Sequence, residues 1–399
     1  MANADALRAT PSDFTLTTRL ERAGLLATIG VAAALQLSIA VAQSLFAIAV
    51  LCWLALLLFR REPVQVPRFF WPLAALAALT LISAAFSSDP RASFVDTKQL
   101  LLFLMVPLAY RFAGGNRAAT VLLIVVSVGA ASAAFGIVQY GILHYDHLGQ
   151  RPRGTLGHYM TYSGLLMLVI GVALAQLLFG TRDRVWAALV MPALAVAVAL
   201  TFTRSAWVGA CAAAAVLLML KDLRLVALLP VVAAIFVALA PPSVTARFVS
   251  IFDLKDPTNR DRIAMFHEGE RMIRARPLVG VGPNMVEALY EQYRGDDAVE
   301  KINPHLHNVA MQLAAERGLP ALLCWLAFVA ITVYDLGRGL RGRRLPAVAA
   351  AAGLAAMVSM LAAGLFEYNF GDSEFLMLLL LLITLPFAAD RPSVEHPIA

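Results

Sequence analysis

Twelve apolar stretches alternate with short polar links along this chain, near 23–40, 42–59, 69–87, 99–112, 118–141, 158–179, 185–203, 205–220, 223–240, 308–336, 346–366 and 373–389. Apolar runs of this length and repetition predict helices that cross a bilayer. The alternation breaks once, between residues 241 and 307, which hold most of the soluble-looking sequence and end on Pro304-His305-Leu306-His307-Asn308. The pattern predicts an all-α polytopic membrane protein of about twelve transmembrane helices with one large loop. Residues 23–389 form a single transmembrane domain, flanked by segments 1–22 and 390–399.

Within the loop, Asp261 to Arg276 reads as an amphipathic helix with Ile263, Phe266 and Ile273 near one face. Pro277 closes it, Gly280-Val281-Gly282-Pro283-Asn284 reads as a turn whose glycines offer a hinge, and a second short helix follows with Met285, Leu289, Tyr290 and Tyr293 against apolar surface. Ala40-Val41-Ala42 imitates a signal-peptidase site, but the apolar sequence resumes at Ser44, which favours a helical hairpin.

Composition agrees: 60% of residues are hydrophobic, 15% are charged and the mean hydropathy is +0.75. The net charge of +6 is not arranged as a basic stripe with interleaved aromatics, which argues against nucleic acid. Cys52, Cys211 and Cys324 all fall in apolar segments without metal-type spacing, and are expected to pack as small apolar residues.

Charge orients the chain. With the N-terminus in the cytoplasm, the short inner links carry Arg60, Arg61 and Arg68; Arg111 and Arg117; Arg182 and Arg184; Lys221 and Arg224; and Arg338, Arg341, Arg343 and Arg344. The loop 241–307 then lies outside, and an even number of spans returns the C-terminus to the cytoplasm. Arg151, Arg153, His158, Arg204, Arg262, His305 and His307 all fall on the outer face, with only His396 of the seven histidines inside. A polar site facing outward follows.

The loop is not basic overall, with nine Lys/Arg against ten Asp/Glu between 241 and 305, so individual arginines must be weighed. Guanidinium keeps its charge and binds phosphate oxygens in pairs. For Arg262 the alternative is an exposed ion pair with a nearby acid. Arg204 lies where two spans meet, in Thr203-Arg204-Ser205; it either snorkels to the headgroups or binds phosphate. Arg151-Pro152-Arg153-Gly154 and His158 read first as a solvated loop. For His305 and His307 the alternatives are a general base, a metal ligand and an interfacial hydrogen-bonding residue. A zinc site on both would need further ligands, with His144, His147 and Asp146 the obvious candidates.

Three segments together resemble the superfamily of O-antigen ligases and O-antigen polymerases. They are Thr203-Arg204-Ser205-Ala206-Trp207-Val208-Gly209, Asn259 to Asn284 with its Pro-Leu-Val-Gly-Val-Gly-Pro-Asn end, and His307-Asn308-Val309-Ala310-Met311-Gln312-Leu313 running into Glu316-Arg317-Gly318-Leu319. The resemblance implies a multi-span glycosyltransferase of GT-C-like architecture, without cofactor or metal. It would work on the periplasmic face of the bacterial inner membrane, moving a glycan from undecaprenyl diphosphate to lipid A–core. His307 takes the place of the family's essential histidine, with Arg262 and Arg204 as its arginines. The dominant late loop, without the extra C-terminal region of protein-glycosylating relatives, implies a ligase; the alternative is a polymerase that lengthens the carrier-bound glycan.

The residue chemistry points the same way. A diphosphate leaving group needs positive charge to stabilise the anion that develops. The first outer hairpin has no acid, and Asp89 and Asp96 stand seven residues apart, so a paired acidic metal motif is missing from the early loops. Arg204 and Arg262 would clamp the diphosphate, while His307 deprotonates an acceptor hydroxyl for a single, inverting displacement. Arg151, Arg153, His158, His305, Asn308 and Lys98 are further substrate-binding candidates. The competing class, a lipid-linked glycan transporter, would call for charges in mid-membrane and broken helices in pairs; only Glu316 and Arg317, before the Gly318-Leu319-Pro320 break, hint at it.

Overall fold

The structure is a computed structural model, and it describes residues 11–253, 255–296 and 298–391. Residues 1–10 of the predicted N-terminal segment and 392–399 of the predicted tail, with His396, lie outside the described residues. Helices follow in the order α1 (Pro11–Ala34), α2 (Ile39–Arg60), α3 (Phe70–Ala85), α4 (Pro90–Asp96), α5 (Met105–Phe112), α6 (Arg117–Gly141), α7 (Tyr159–Phe179) and α8 (Arg184–Leu200). Then come α9 (Arg204–Lys221), α10 (Leu228–Leu239), α11 (Pro242–Val249), α12 (Pro257–Ala275), α13 (Val286–Tyr293), α14 (Val309–Arg341), α15 (Ala347–Ala363) and α16 (Ser373–Ala389). No strand occurs among the described residues.

Six helical segments are long and apolar enough to cross a membrane, at 39–60, 90–112, 117–141, 159–179, 204–221 and 309–341, and five shorter apolar helices accompany them. The chain is therefore a polytopic, all-α membrane protein. The first two helices form a hairpin around Leu35–Ser38, as the resumed apolar sequence predicted. The expected span at 99–112 starts earlier: Asp89 caps α4 by accepting from the Ala92 N–H, and a 3-10 segment, Thr97–Leu104, joins α4 to α5. Of the cysteines, Cys52 is buried, Cys324 half-buried and Cys211 exposed on the protein surface; all three are free.

The centre of the bundle is made by α7, α15 and α16. Their residues are apolar on every side, and a helix apolar all round belongs in an interior. The alanines Ala349 to Ala356 let α15 pack closely against α7, α9, α14 and α16, as small residues do between membrane helices. The expected span 346–366 ends at Ala363, so residues 364–372 form an irregular link between two central helices. Charged residues at the other end of the bundle pair with each other: Arg60 and Arg111 both reach Glu21, and Arg111 also holds Glu62 at 2.8 Å.

The loop folds onto the start of α14 through its own small core, Met265, Met272, Val281, Met285, Val286, Leu306 and Ala315, with Leu289, Tyr293 and Met311 packed around it. It contains three helices rather than two, α11 being the addition. The expected face of α12 packs only in part: Ile273 lies against the small core, but Ile263 and Phe266 are exposed, while Asp261, Ala264, Met265, Glu268, Gly269 and Met272 are buried. Two of the three large apolar side chains misled because the buried stripe is made of small residues, methionine and two carboxylates. Asp256 caps α12, with Pro257 at its first position.

The glycine turn is pinned rather than hinged. Val281 and Gly282 donate their N–H groups to Ala315 and Glu316 carbonyls at 2.9 Å, and Leu319 donates to Pro277 at 2.8 Å. A Cβ on Gly280 would stand 2.3 Å from the Glu316 carbonyl, and one on Gly318 would stand 2.2 Å from the Leu278 oxygen. Both have positive φ, and Gly318 marks the kink in α14. Two of the segments that carried the family resemblance thus mate backbone to backbone.

Candidate functional site

His307 is held at φ +48, a left-handed conformation uncommon for a residue with a side chain. The residues after it fix that geometry. Asn308 caps α14 by accepting from the Met311 N–H at 2.9 Å, and its amide donates to the Leu365 carbonyl at 3.2 Å. Val309 donates to the Gly364 carbonyl at 2.8 Å, and Leu306 donates to the Gln312 side chain at 2.7 Å. The end of the loop is therefore stitched to the link between α15 and α16, which brings Glu367 to the histidines.

Glu367 is buried and faces both imidazoles. Its Oε2 lies 3.0 Å from His307 Nδ1, and its Oε1 lies 3.5 Å from His305 Nε2. The two rings stand 4.1 Å apart, edge to face. Burial alone would raise the Glu367 carboxyl, but His307, His305 and Arg262 outweigh it and hold the group at about 2. A carboxylate on Nδ1 fixes the tautomer of His307, which leaves Nε2 as its free basic nitrogen. His305 is different: burial lowers it to about 4, against the opposing pull of Glu367. It is neutral at pH 7 and a weak base, and its Nδ1 is buried without a hydrogen-bond partner.

Beside this pair, four guanidiniums share one neighbourhood. Arg204 is buried rather than snorkelling: it donates to the Ser250 carbonyl and hydroxyl at 3.0 Å and to Asp256 at 3.3 Å. Arg247, on α11, reaches the other Asp256 oxygen at 3.7 Å. Burial brings Arg247 down to about 10, and the charges of Arg204, Arg151 and Arg262 push the same way, against Asp256. Arg262 is half-buried, and burial lowers it too; Glu367 is the nearest opposing influence. The Nε groups of Arg247 and Arg262 are buried without hydrogen-bond partners. Donors crowded in this way around a single shared carboxylate suit an anion with several oxygens.

Glu367 also lines a cavity of about 330 Å³, whose wall includes Asp96, Glu316 and Asp372, with Gln99, His158, Thr161, His305, Asn369 and Phe375. No lysine or arginine is in its wall. Asp372 accepts from the Thr161 hydroxyl and caps α16, and Arg317 is turned behind the wall toward the Tyr368 hydroxyl at 3.0 Å.

The other expected residues scatter. Arg151 joins the arginine group through its field on Arg247, while its guanidinium lies over the Tyr159 ring at 4.2 Å. Arg153 is exposed and lies over Tyr145, 6.0 Å away. His158 lines the cavity and caps α7, and Lys98 is exposed, with Asp96 as its electrostatic neighbour. As metal donors, His144, His147 and Asp146 do not reach His305 and His307: His147 instead accepts from the Gly149 N–H. The third potential donor is Glu367, and the donor atoms of His305, His307 and Glu367 lie within 4.8 Å of one another. Such a set could hold zinc with a fourth position open.

Glu367 and Arg247 were missed by sequence. Glu367 directly follows an expected span and resembles an interfacial acid; Arg247 was one of nine basic residues in a loop with no helix assigned around it. Nothing in either local sequence marks them.

Residues 189–326 match the family model described as O-antigen ligase, and the match supports membership of that family of glycosyltransferase-like membrane enzymes. The matched span holds Arg204, Arg247, Arg262, His305 and His307 and stops before Glu367. No curated protein matches the chain significantly.

Proposed function

We propose, taking membership of the O-antigen ligase family as the premise, that this protein transfers a glycan from undecaprenyl diphosphate to a hydroxyl of lipid A–core. The reaction takes place on the periplasmic face of the inner membrane, in a domain spanning residues 23–389 that crosses twelve times with the loop 241–307 outside. The observation that carries the reading is His307 Nδ1 bound to Glu367 at 3.0 Å, with Arg262 acting on the same carboxylate.

The free Nε2 of His307 takes the proton of the acceptor hydroxyl as its oxygen attacks the anomeric carbon. The bond from that carbon to the diphosphate oxygen breaks, and its electron pair leaves with undecaprenyl diphosphate. A single displacement inverts the anomeric centre. Arg262 and Arg247 present unpartnered donors to the developing anion, and Arg204 frames them through Asp256 and Ser250. Glu367 positions His307 and stabilises the imidazolium that forms.

The test is transfer by purified protein from undecaprenyl-diphosphate-linked glycan to lipid A–core, run with and without EDTA. Product that persists in EDTA supports a metal-independent ligase. Loss of product in EDTA, restored by zinc, would make His305, His307 and Glu367 a metal site. Carrier-linked chains that lengthen without transfer to core would make the protein a polymerase, and no covalent product with any acceptor would favour transport.

A further inference from the structure

We infer that the carboxylate-lined cavity beside Glu367 seats the acceptor's receiving sugar, and that it selects a neutral or amino sugar over a phosphorylated one. The inference rests on the transferase reading and extends it to the chemistry of the acceptor.

The cavity is large enough for about one to two hexoses by the usual size of small-ligand sites. Its wall carries the carboxylates of Asp96, Glu316, Glu367 and Asp372 and no cationic side chain. A phosphate or uronate placed there would meet like charge, offset in part by Arg317, which lies 3.8 Å from Glu316 behind the wall. Hydroxyls and an ammonium group suit it: carboxylates accept from both, and Gln99 and Thr161 add polar partners. Asn369, 8% exposed, and His305 line this wall, and Asn369 Oδ1 and His305 Nδ1 are buried without hydrogen-bond partners. Buried acceptors left open in this way are unusual and mark a place where a donor arrives with the ligand. Phe375 and Met160 supply apolar surface for the face of a sugar ring.

The position decides the role. Glu367 and His305 line the cavity, and Glu367 also holds His307, so a sugar seated there lies one side chain away from the base.

The experiment uses the full chain in nanodiscs. Saturation-transfer difference NMR, without donor, compares a core oligosaccharide whose terminal hexose is neutral with the same oligosaccharide phosphorylated on that hexose. The neutral ligand should bind, with affinity reduced about tenfold in Asn369→Ala, the loss of one hydrogen bond to a polar group. The phosphorylated ligand should bind at least about tenfold more weakly, and Asp372→Asn, which can still cap α16, should narrow that gap. Equal or tighter binding of the phosphorylated ligand would overturn the inference, as would unchanged affinity in both variants. Parallel transfer assays separate the two claims: the variants should raise the acceptor KM and leave the donor KM unchanged. Wild-type protein that binds the neutral sugar yet transfers nothing from any diphosphate donor would sink the transferase reading while the cavity's preference stands. A shift in donor KM alone would place the cavity on the donor's path and overturn the inference.

Discussion

The arginine group and the carboxylate-lined cavity meet at Glu367, and they are assembled in opposite ways. Arg204, Arg247 and Arg262 come from within 60 residues of one another, on α9, α11 and α12; Asp256 ties Arg204 to Arg247, and Arg262 acts on both through its charge. The cavity draws Asp96, His158, His305, Glu316 and Asp372 from five separated segments. One region gathers positive charge that would suit a leaving diphosphate; the other excludes it. The lesson is that charge is segregated over a few residues at one end of the bundle, although the loop as a whole is nearly neutral. A net-charge count hides this. In the proposed reaction the two regions would serve the two substrates.

The contrast breaks most sharply at the seam. His307→Ala is expected to lower transfer by about 10³-fold, within the range of general acid–base catalysis, whereas His305→Ala costs at most about tenfold. Turnover measured for the two variants decides which imidazole is the base, and the reverse order would exchange their roles. Glu367→Gln keeps the shape but removes the charge that orients His307; kcat should fall by about 10²-fold, with the donor KM little changed. If donor KM rose instead, Glu367 would act through the arginines.

On the basic side, Arg247→Ala should raise the donor KM about tenfold, as expected for one charge-assisted hydrogen bond, and Arg247→Lys should restore only part of it because the planar fork is lost. A steady-state KM for each substrate measures this, and an effect on acceptor KM alone would remove Arg247 from the donor's side.

The smallest effect concerns stability. His305 binds its proton at about 4 in the fold and at 6.5 in the unfolded chain. Between those values the unfolded state holds the extra proton, so stability falls as pH is lowered from 6.5 to 4. Glu367, held at about 2 against 4.5, extends the loss from pH 4.5 downward. Glu268, raised to about 8 by burial, works in the opposite direction above pH 4.5. The His305 contribution is therefore read as the difference between thermal melts of wild type and His305→Asn, which should shrink as pH falls from 6.5 to 4.

Much of this was legible in the residues. The apolar runs fall on helices, and Arg204, Arg262 and His307 stood out because a charge between apolar spans, or a histidine at a helix start, is costly enough to need a reason. The failures have physical causes too. The packing face of α12 is built largely from Ala264, Gly269 and methionines, so a search for the largest apolar side chains found Ile273 but was misled by Ile263 and Phe266. Lys98 and Arg153 were grouped with the site by their place along the chain, yet both are exposed and neither meets the arginine group. Glu367 lay beyond the reach of any local pattern, since its partners are 60 and 62 residues away.

What the sequence determined by itself was the all-helical, polytopic membrane architecture. Hydrophobic length and periodicity are local properties, and each helix satisfies its own backbone whatever its neighbours do. Tertiary structure alone decided which imidazole has a carboxylate on its Nδ1, that four arginines share one neighbourhood and that carboxylates from distant segments wall a common cavity. Those outcomes depend on how α7, α15 and α16 pack and on where the link between the last two emerges, and packing is set by side-chain fit across the whole bundle.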